Sequence, residues 1–441
     1  MTLDGAGSPL VVWGKMSDES AYFSRWNGTA FTTPVKLNPS WLKVANASWM
    51  GPDIASKGDT VYVVVKRAPE TSDTNHIYIM RSFNGGVSFL APVRVDYIGD
   101  SVSRFPTVTV DATGNPIVAF MKFNSSFLKS RWVVTKSTDF GQTFTTDVRA
   151  SGYSGTNAEV CDCCPGAIVS SGNNTAMLYR DNLSNIREIW TGISKNNNAS
   201  FNSGFMVDNT NWMIMSCPSS GPDGIIIGDS LYTVFLSGAG SYRTYLSKSS
   251  ISGGMVSSVA KLTGNITGLS QQNYPRIATD GKAAAIVWKQ TVSGSSQLPI
   301  LFTNDIAKGF SSPSDTVDLA DITNTDVAMY KGKIFVVWQD DGSGTVKYRS
   351  GTYTQLPTGI NEIAENNFSV YPNPVSSTLT LLSNFDLQNA EVTVFNLLGE
   401  TVLTQNQISN ATLNVVSLTN GIYFLQVRAN NKFFTQKFIK Q

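Results

Sequence analysis

The chain has 441 residues, with 33 Lys and Arg against 32 Asp and Glu, for a formal net charge of +1. Charged residues make up only 15% of it, so it lacks the basic surplus of proteins that bind nucleic acid or anionic membranes. Aromatic residues reach 11% and there are 36 glycines, which is typical of many short strands joined by turns. These features predict an all-β protein of more than one domain, with no nucleic-acid partner.

The N-terminal segment, MTLDGAGSPLVVWGK, has no basic region followed by an apolar stretch, so no secretory signal peptide is visible. We expect the numbering to start within a mature or shortened chain. No apolar run approaches the roughly 20 residues that a membrane-spanning helix needs. No transmembrane segment is therefore predicted.

An apolar strand that ends in a large residue recurs at intervals of 50 to 59 residues. A proline precedes five of these ends by thirteen or fourteen positions. Since proline is tolerated at the first residue of a strand, each proline indicates where a preceding strand starts. The strand ends are Trp13, Val65, Phe120, Tyr179, Phe235, Trp288 and Trp338, and the prolines are Pro52, Pro106, Pro165, Pro222 and Pro275.

A turn with the pattern S-x-D-x-G-x-x-F follows the third strand of several repeats. In such a turn Asp caps backbone N–H groups, Gly adopts a left-handed conformation and the aromatic ring packs beneath the sheet. The pattern is therefore a folding element. The best copy is Ser137, Asp139, Gly141 and Phe144; partial copies are Ser82, Asn84, Gly86 and Phe89, then Ser24, Gly28 and Phe31, and Thr303, Asp305 and Phe310.

Four strands per repeat, arranged radially, predict a β-propeller, a fold that protects its strand edges by closing into a ring. Seven copies predict seven blades over residues 1–353. Six blades with one copy outside the ring is the alternative, because the last copy, 325–353, is short. Counting thirteen residues back from Trp13 leads to a position before Met1, so the first strand of the first blade is predicted to be missing.

This turn resembles the Asp-box of sialidase-like propellers with BNR repeats, over residues 1–353. The motif is specific for the fold of that superfamily, and propellers without hydrolytic activity carry it as well. In an antiparallel blade, the start of strand one, the end of strand two and the start of strand three lie on one face. We expect ligands to bind there.

Sialidases hold the carboxylate of their substrate with three arginines, one of them from an F-R-I-P motif, and SRFPTVTVD resembles that motif. Guanidinium groups suit this role because they bind carboxylates in a bidentate manner. Here, however, the motif opens the third repeat and reads R-F-P. Ion pairing between blades is the alternative role. The predicted ligand-binding residues are Arg104, Arg180, Arg187 and Arg243.

The same resemblance implies a tyrosine nucleophile with a glutamate, and an aspartate that acts as acid and base. Glu188 and Asp326 lie on the predicted ligand face, but no spacing selects a catalytic set. Solvated loop residues are the alternative interpretation. His76 is the only histidine, so no serine or cysteine triad is predicted, and neither a cofactor nor a metal is expected. The weak catalytic candidates are Glu159, Asp162 and Tyr274.

Three of the four cysteines lie together as Cys161, Cys163 and Cys164, and Cys217 is distant in sequence. The spacing C-x-C-C lacks the paired C-x-x-C clusters of zinc sites. Disulfides are favoured, and they would fit an oxidising compartment. We predict a disulfide between Cys217 and one member of the cluster, which would connect blades four and five.

Residues 354–367 read as a linker, since they contain Pro, Gly and several Asn without periodicity. Residues 368–441 then alternate apolar and polar positions in about seven short strands. This pattern predicts a small immunoglobulin-like β-sandwich.

The sandwich resembles the type A C-terminal sorting domain of the type IX secretion system of the Bacteroidetes. The resemblance implies export through the periplasm to the cell surface or the medium, guided by contacts with the outer-membrane translocon and a sortase. An ordinary adhesive module is the alternative. The matching residues are Tyr371, Pro372, Asn373, Pro374, Gly399, Gly421, Lys437 and Lys440.

Two classes of function remain. The first is an exported propeller that binds glycans or other extracellular ligands without turnover. The second is an exo-glycosidase of sialidase type that acts on carboxylated sugars. Because no catalytic spacing is recognisable, the sequence favours binding.

Overall fold

The computed structural model describes residues 1–356 and 368–441, except 98, 100, 157, 311–313, 384–385, 389, 409 and 430–431. The chain divides into two compact units, Met1–Leu356 and Pro357–Gln441. Residues 357–367, most of the predicted linker, lie outside the described residues. Within the described ranges, no helix has the length and apolar character needed to cross a membrane.

The first unit consists of six four-stranded sheets and one three-stranded sheet, all antiparallel, with strands paired in chain order. The first four sheets are β1 Thr2–Leu3, β2 Pro9–Lys15, β3 Ser20–Arg25 and β4 Val35–Lys36; β5 Asp53–Lys57, β6 Thr60–Lys66, β7 Ile77–Ser82 and β8 Val93–Arg94; β9 Val102–Val110, β10 Pro116–Phe123, β11 Arg131–Lys136 and β12 Val148–Arg149; and β13 Ala167–Ser171, β14 Asn174–Arg180, β15 Ile189–Ser194 and β16 Ser203–Met206.

The remaining three sheets are β17 Asp223–Ile227, β18 Ser230–Ser237, β19 Arg243–Ser250 and β20 Met255–Lys261; β21 Leu269–Thr279, β22 Ala284–Val292, β23 Ser295–Thr303 and β24 Asp315–Asp318; and β25 Ile322–Tyr330, β26 Lys333–Asp340 and β27 Thr345–Thr352. Two short 3-10 helices, Met16–Asp18 and Ile306–Lys308, lie in connections. Each predicted repeat end falls in the second strand of its sheet, which confirms the repeat.

The ring closes between the first and seventh sheets. The amino group of Met1 forms an ion pair with Asp326 of β25. The ring of Trp26 lies 5.5 Å from that of Tyr348 in β27. The first unit is therefore a seven-bladed β-propeller, and the six-bladed alternative is wrong.

The first blade requires a correction. Its inner position is occupied by the two-residue strand β1, in which Thr2 pairs with Leu10 of β2. The strand predicted to be missing is therefore present in shortened form, because two residues suffice to pair with the start of β2.

The Asp-box turn of the third blade has the predicted hydrogen bonds. The Asp139 carboxylate accepts from the backbone N–H groups of Gln142 and Thr143 at 3.0 and 2.9 Å. The Ser137 hydroxyl accepts from the N–H of Gly141 at 2.7 Å, and Gly141 has a φ of 81°. Phe144 packs against the buried core between blades two and three. The motif thus acts as the folding element that its pattern predicts.

A further copy of this turn, in the fourth blade, escaped the sequence pattern. Ser194 accepts from the N–H of Asn198 at 3.0 Å, and Asn196 accepts from that of Ser200 at 3.1 Å. Asn198, with a φ of 64°, occupies the position of the glycine, since asparagine tolerates the left-handed region.

Acidic residues at the start of inner strands connect successive blades. The Asp53 carboxylate accepts from Thr107 Oγ1 at 2.8 Å and from the N–H of Val108 at 2.9 Å in the next blade. Asp223 likewise accepts from the N–H of Ile277 at 3.0 Å. These contacts hold the inner strands in register around the ring.

The second unit is a sandwich of two sheets around one apolar core. Leu379, Val392, Leu425 and Phe438 are completely buried in that core. The structure thus confirms the predicted fold. One sheet contains β28 Phe368–Tyr371, β29 Thr378–Ser383 and β32 Thr412–Asn414; the other contains β30 Glu391–Phe395, β31 Thr401–Asn406, β33 Gly421–Ala429 and β34 Lys432–Lys440.

Candidate functional site

Two acidic residues face each other where β14 and β15 of the fourth blade meet on the predicted ligand face. The N–H of Asp181 donates to the carbonyl of Glu188 at 2.8 Å, which extends the ladder one pair beyond Arg180. Side chains alternate along strands, so both carboxyl groups lie on the same side as Tyr179 and Trp190. Directly opposite residues of this kind have Cβ atoms about 5 Å apart.

Asp181 and Glu188 line a cavity of about 320 Å³ in the fourth blade, beside the connection from the third. Its size is at the lower end of the roughly 300–1,000 Å³ typical of small-molecule sites. The other lining residues are Ser154 from the third-blade connection, Leu183, Ile186 and Trp190 from the β14–β15 hairpin, and Met206, Asn209 and Asn211 from β16 and the loop after it.

The Asp181 carboxyl group is buried, and no ordinary hydrogen bond with the described residues offsets the free-energy cost of its burial. Its side chain is 1% exposed, and neither carboxylate oxygen makes a hydrogen bond of ordinary geometry within the described residues. Burial raises the pKa of Asp181 to about 6, and the neighbouring Ser154 hydroxyl and Asn182 N–H offset only part of that effect.

Glu188 is in a similar state. The residue is 5% exposed, and both of its carboxylate oxygens lack a hydrogen-bond partner in the described part of the chain. Burial raises the pKa of Glu188 to about 7, and the carboxylate of buried Asp208 adds to the effect. The amides of Asn211 and Trp212 act in the opposite direction. The cavity therefore holds two carboxyl groups that change charge near neutral pH.

Arg180, predicted to bind ligand, is completely buried. Its guanidinium donates to the carbonyls of Arg187 at 2.7 Å, Leu236 at 2.8 Å and Ser220 at 3.3 Å, and lies 5.0 Å from the ring of Trp212. It connects the fourth blade to the fifth. Its hydrogen bonds to these carbonyls give Arg180 a role in holding the blades together, and ligand binding by this residue stays a prediction.

Two other predicted arginines also bind protein atoms. Arg187 is 7% exposed and donates to Cys161 Sγ at 2.9 Å. Arg243 donates to the carbonyl of Tyr242 at 2.9 Å and to that of Leu269, at the start of the sixth blade, at 3.3 Å. These contacts tie segments of the propeller together.

Arg104, in the segment that resembles F-R-I-P, bridges three blades. Its guanidinium forms an ion pair with Glu70 at 2.6 Å and donates to the carbonyl of Asp162 at 3.2 Å. It also lies over the Phe105 ring at 4.5 Å. These contacts fit the alternative of ion pairing between blades.

The weak catalytic candidates do not form a catalytic set either. Glu159 accepts from the N–H of Lys129 at 3.2 Å and the Ser130 hydroxyl at 3.5 Å, and Asp162 is exposed. Burial raises the pKa of Tyr274, which opposes activation as a nucleophile, and its hydroxyl meets no carboxylate among the described residues.

The single histidine belongs to a buried polar network. His76 Nδ1 lies 3.0 Å from Asp96, whose other oxygen accepts from the Ser103 hydroxyl. Lys66 donates to Ser103 at 3.1 Å. Because the carboxylate stands between serine and imidazole, and Ser103 is fully buried, these residues cannot act as a triad.

The structure joins Cys163 to Cys217, one of the pairings that the sequence left open. Their Cα atoms are 6.2 Å apart, and the bond links the segments that precede blades four and five. Cys161 and Cys164 are free and buried beside it.

Arg276, on the inner strand β21, was missed by sequence reasoning. Burial alone would lower its pKa, but the carboxylates of Asp223, Asp326 and Asp53 raise it. A repeat proline directly precedes each of Arg276, Asp53 and Asp223. The residue immediately after the repeat proline is therefore the sequence position that could have identified these charged residues.

In the second unit, the segments YPNP and KFIK are adjacent. The Asn373 side chain donates to the carbonyl of Lys437 at 3.2 Å and accepts from the N–H of Ile439 at 2.9 Å. The Tyr371 side chain is 49% exposed. Of the other matching residues, Pro372, Pro374 and Lys437 are exposed, Lys440 is buried, Gly399 has a φ of 81° in a tight turn, and Gly421 begins β33.

Comparison with known proteins identifies the second unit. Residues 369–441 match the family described as the secretion system C-terminal sorting domain. This is the sorting domain of type IX secretion, as the sequence resemblance implied. The protein is therefore a type IX secretion substrate, exported to the outer cell surface or released, with an all-β propeller as its larger unit.

Solved structures resemble the propeller in fold. An ulvan lyase of polysaccharide lyase family PL25, bound to -[GlcA(1-4)Rha3S]-, is 10% identical over 78% of this chain and 90% of that chain, with a TM-score of 0.53. A Hadza microbial sialidase is 11% identical over 80% of this chain and 64% of that chain, and a Dyadobacter fermentans protein of unknown function is 10% identical over 66% and 89%. Both have TM-scores of 0.45, too low to support an inference. No curated protein matches the chain.

Proposed function

We propose that the propeller binds an uncharged glycan in the cavity of the fourth blade. The observation that carries this proposal is that four buried carboxylate oxygens, from Asp181 and Glu188, make no hydrogen bond of ordinary geometry with the described residues. A buried polar group without a partner costs about 1–3 kcal/mol, which a donor on a ligand recovers. Sugar hydroxyls are such donors.

The remaining walls suit a sugar as well. Trp190 is half-buried in the lining and offers an aromatic surface of the kind on which sugar rings pack, while Asn209 and Asn211 offer amide groups at the mouth.

The charge of the cavity favours a neutral sugar over a carboxylated one. Two carboxyl groups line the cavity, and its lining residues include no arginine. An anionic sugar would meet like charge without a guanidinium to bind its carboxylate. This argument opposes the sialidase-type alternative.

Hydrolysis of a neutral glycoside is a second candidate, favoured by the raised pKa values. A general acid works best when its pKa lies near the operating pH, and that of Glu188 is about 7. Asp181, opposite it, would be the second carboxylate that glycoside hydrolysis requires.

A glycan array, followed by analysis of released sugars, tests both candidates. We expect the wild type to bind neutral glycans and the variant Asp181→Asn/Glu188→Gln to lose that binding. Asp162→Asn, exposed on the same face, is the matched control and should bind as the wild type does. Released sugar from the wild type, but not from Glu188→Gln, would establish hydrolysis. Equal binding by the double variant, or binding restricted to sialosides, would contradict the proposal.

We also propose that the adjoining YPNP and KFIK segments form the surface that the secretion machinery recognises, by its translocon and sortase. Asn373 supports this because its two hydrogen bonds hold the exposed segment against β34. Asn373→Ala should reduce the amount of protein outside the cell, with Asn414→Ala, in β32, as control. Unchanged export of Asn373→Ala would contradict the proposal.

A further inference from the structure

All four cysteine sulfurs lie within 4.8 Å of one another. Cys163 and Cys217 form a disulfide, whereas Cys161 and Cys164 are thiols. Cys161 Sγ lies 3.6 Å from Cys163 Sγ and 3.1 Å from Cys164 Sγ. One sulfur thus contacts both the disulfide and the second thiol.

The surroundings of Cys161 favour its thiolate, the form that reacts with disulfides. It accepts a hydrogen bond from Arg187 at 2.9 Å, and its Sγ shares a hydrogen bond of 3.1 Å with Cys164 Sγ. The Cys164 hydrogen bond, helped by the charges of Arg187 and Arg180, lowers the pKa of Cys161 to about 6 against the opposing effect of burial. Burial raises the pKa of Cys164, which remains a thiol.

We propose that these cysteines form a two-pair thiol–disulfide relay, in which the buried Cys161–Cys164 pair takes over the disulfide from the outer Cys163–Cys217 pair. The buried sulfurs are 0% and 1% exposed, whereas Cys217 is exposed. Disulfides and thiols in solution can therefore reach the buried pair only through the outer one.

The exchange needs no external oxidant. The Cys161 thiolate attacks Cys163, forming a Cys161–Cys163 bond, and Cys217 leaves as a thiolate that takes the proton of Cys164. The Cys164 thiolate then attacks Cys161, forming the Cys161–Cys164 bond and releasing Cys163 as a thiolate. One disulfide, one thiol and one thiolate are present before and after.

The exchange would change the region around the cavity. It opens the link between the segments before blades four and five and exposes two sulfurs at the surface. It also removes the thiolate that Arg187 holds, next to Glu188 in the chain. The relay would thus couple the redox state of the outer pair to the candidate site.

Peptide mapping of the full chain tests the relay. The protein is fully reduced, given one equivalent of oxidised dithiothreitol, equilibrated without oxygen, quenched in acid and alkylated. We expect the wild type to yield two species, one with Cys163–Cys217 and one with Cys161–Cys164.

Two variants separate the steps. Cys161→Ser cannot begin the exchange and should yield only Cys163–Cys217. Cys164→Ser cannot complete it and should accumulate the Cys161–Cys163 species with Cys217 alkylated; far-ultraviolet circular dichroism verifies that both variants fold. Wild-type protein with only Cys163–Cys217 would overturn the proposal, as would native mass spectrometry that shows a metal ion held by four thiolates.

Discussion

At the scale of single residues, position along a strand decides which charged groups can meet a ligand. Arg180 and Asp181 are neighbours in sequence on the same predicted face. Because side chains alternate, Arg180 turns toward the fifth blade and is satisfied by carbonyls, whereas Asp181 turns into the cavity. The sequence indicates the face, but it does not show which groups find partners there, since the partners come from neighbouring blades.

The buried carboxyl groups should make stability depend on pH. A folded-state pKa of about 6 for Asp181, against an ordinary 3.8, corresponds to about 3 kcal/mol, and Glu188 adds a shift in the same direction. Between about pH 4 and pH 7 the folded state holds more protons than the unfolded state, so the free energy of unfolding should fall as pH rises through this window.

Urea unfolding of Asp181→Asn measures this effect. The variant should be about 2–3 kcal/mol more stable than the wild type near pH 8, where Asp181 is ionised, and no more stable near pH 4. Asp162→Asn, at an exposed position, should match the wild type at both values. An equal increase in the free energy of unfolding of Asp181→Asn at pH 4 and at pH 8 would show that ionisation of Asp181 does not cause the increase.

Arg104 should contribute to stability more than to ligand binding. Arg104→Ala leaves the carboxylate of Glu70 partly buried without its partner, which we expect to cost about 1–3 kcal/mol of unfolding free energy. The double variant with Glu70→Ala should recover part of this loss in thermal unfolding. A fully stable Arg104→Ala protein that has lost glycan binding would restore the ligand-binding role.

At the scale of elements, the repeated turns were predictable because their hydrogen bonds are local. Ser137, Asp139 and Gly141 lie within five residues, so the sequence contains the whole motif. The copy in the fourth blade escaped because Asn196 and Asn198 replace both Asp and Gly while performing the same roles. A pattern that requires Asp and Gly misses such replacements. A pattern that requires a side-chain hydrogen-bond acceptor at one position and a residue tolerant of the left-handed backbone conformation at the other would include them.

Asp139 should stabilise the third blade through its turn. Its hydrogen bonds with Ser137 and Thr143 lower its pKa to about 2 although burial acts in the opposite direction. Asp139→Ala should lower the free energy of unfolding by about 1–2 kcal/mol, since several backbone donors lose a charged acceptor. Chemical denaturation would show this, and Asp139→Asn should retain part of the stability. An unaffected Asp139→Ala protein would mean that the turn forms without its cap.

At the scale of the whole molecule, the period of the repeat predicts the propeller, and seven strand ends predict seven blades. The short last sheet made six blades a reasonable alternative, but contacts such as that between Trp26 and Tyr348 place it in the ring. The cavity could not be predicted in this way. Ser154 lies in the connection after the third blade, and it meets the β14–β15 hairpin and the loop after β16 of the fourth blade only in the folded structure.

The sorting domain predicts the fate of the whole chain. Deletion of residues 369–441 should leave the propeller inside a cell that has type IX secretion, because the signal for passage across the outer membrane is lost. Immunoblots of periplasm, cell surface and medium measure this distribution. Full surface delivery of the truncated protein would show that another segment directs export.

The most direct test of the carboxylate-lined site is calorimetry of glycan binding in buffers of different ionisation enthalpy. Hydroxyl donors stabilise the carboxylate forms, so binding by the wild type should release protons at about pH 6.5, between the pKa values of Asp181 and Glu188, and none at about pH 9. Glu188→Gln should release fewer protons. Binding with no proton exchange at either pH, equally strong in the Asp181→Asn/Glu188→Gln variant, would contradict the account.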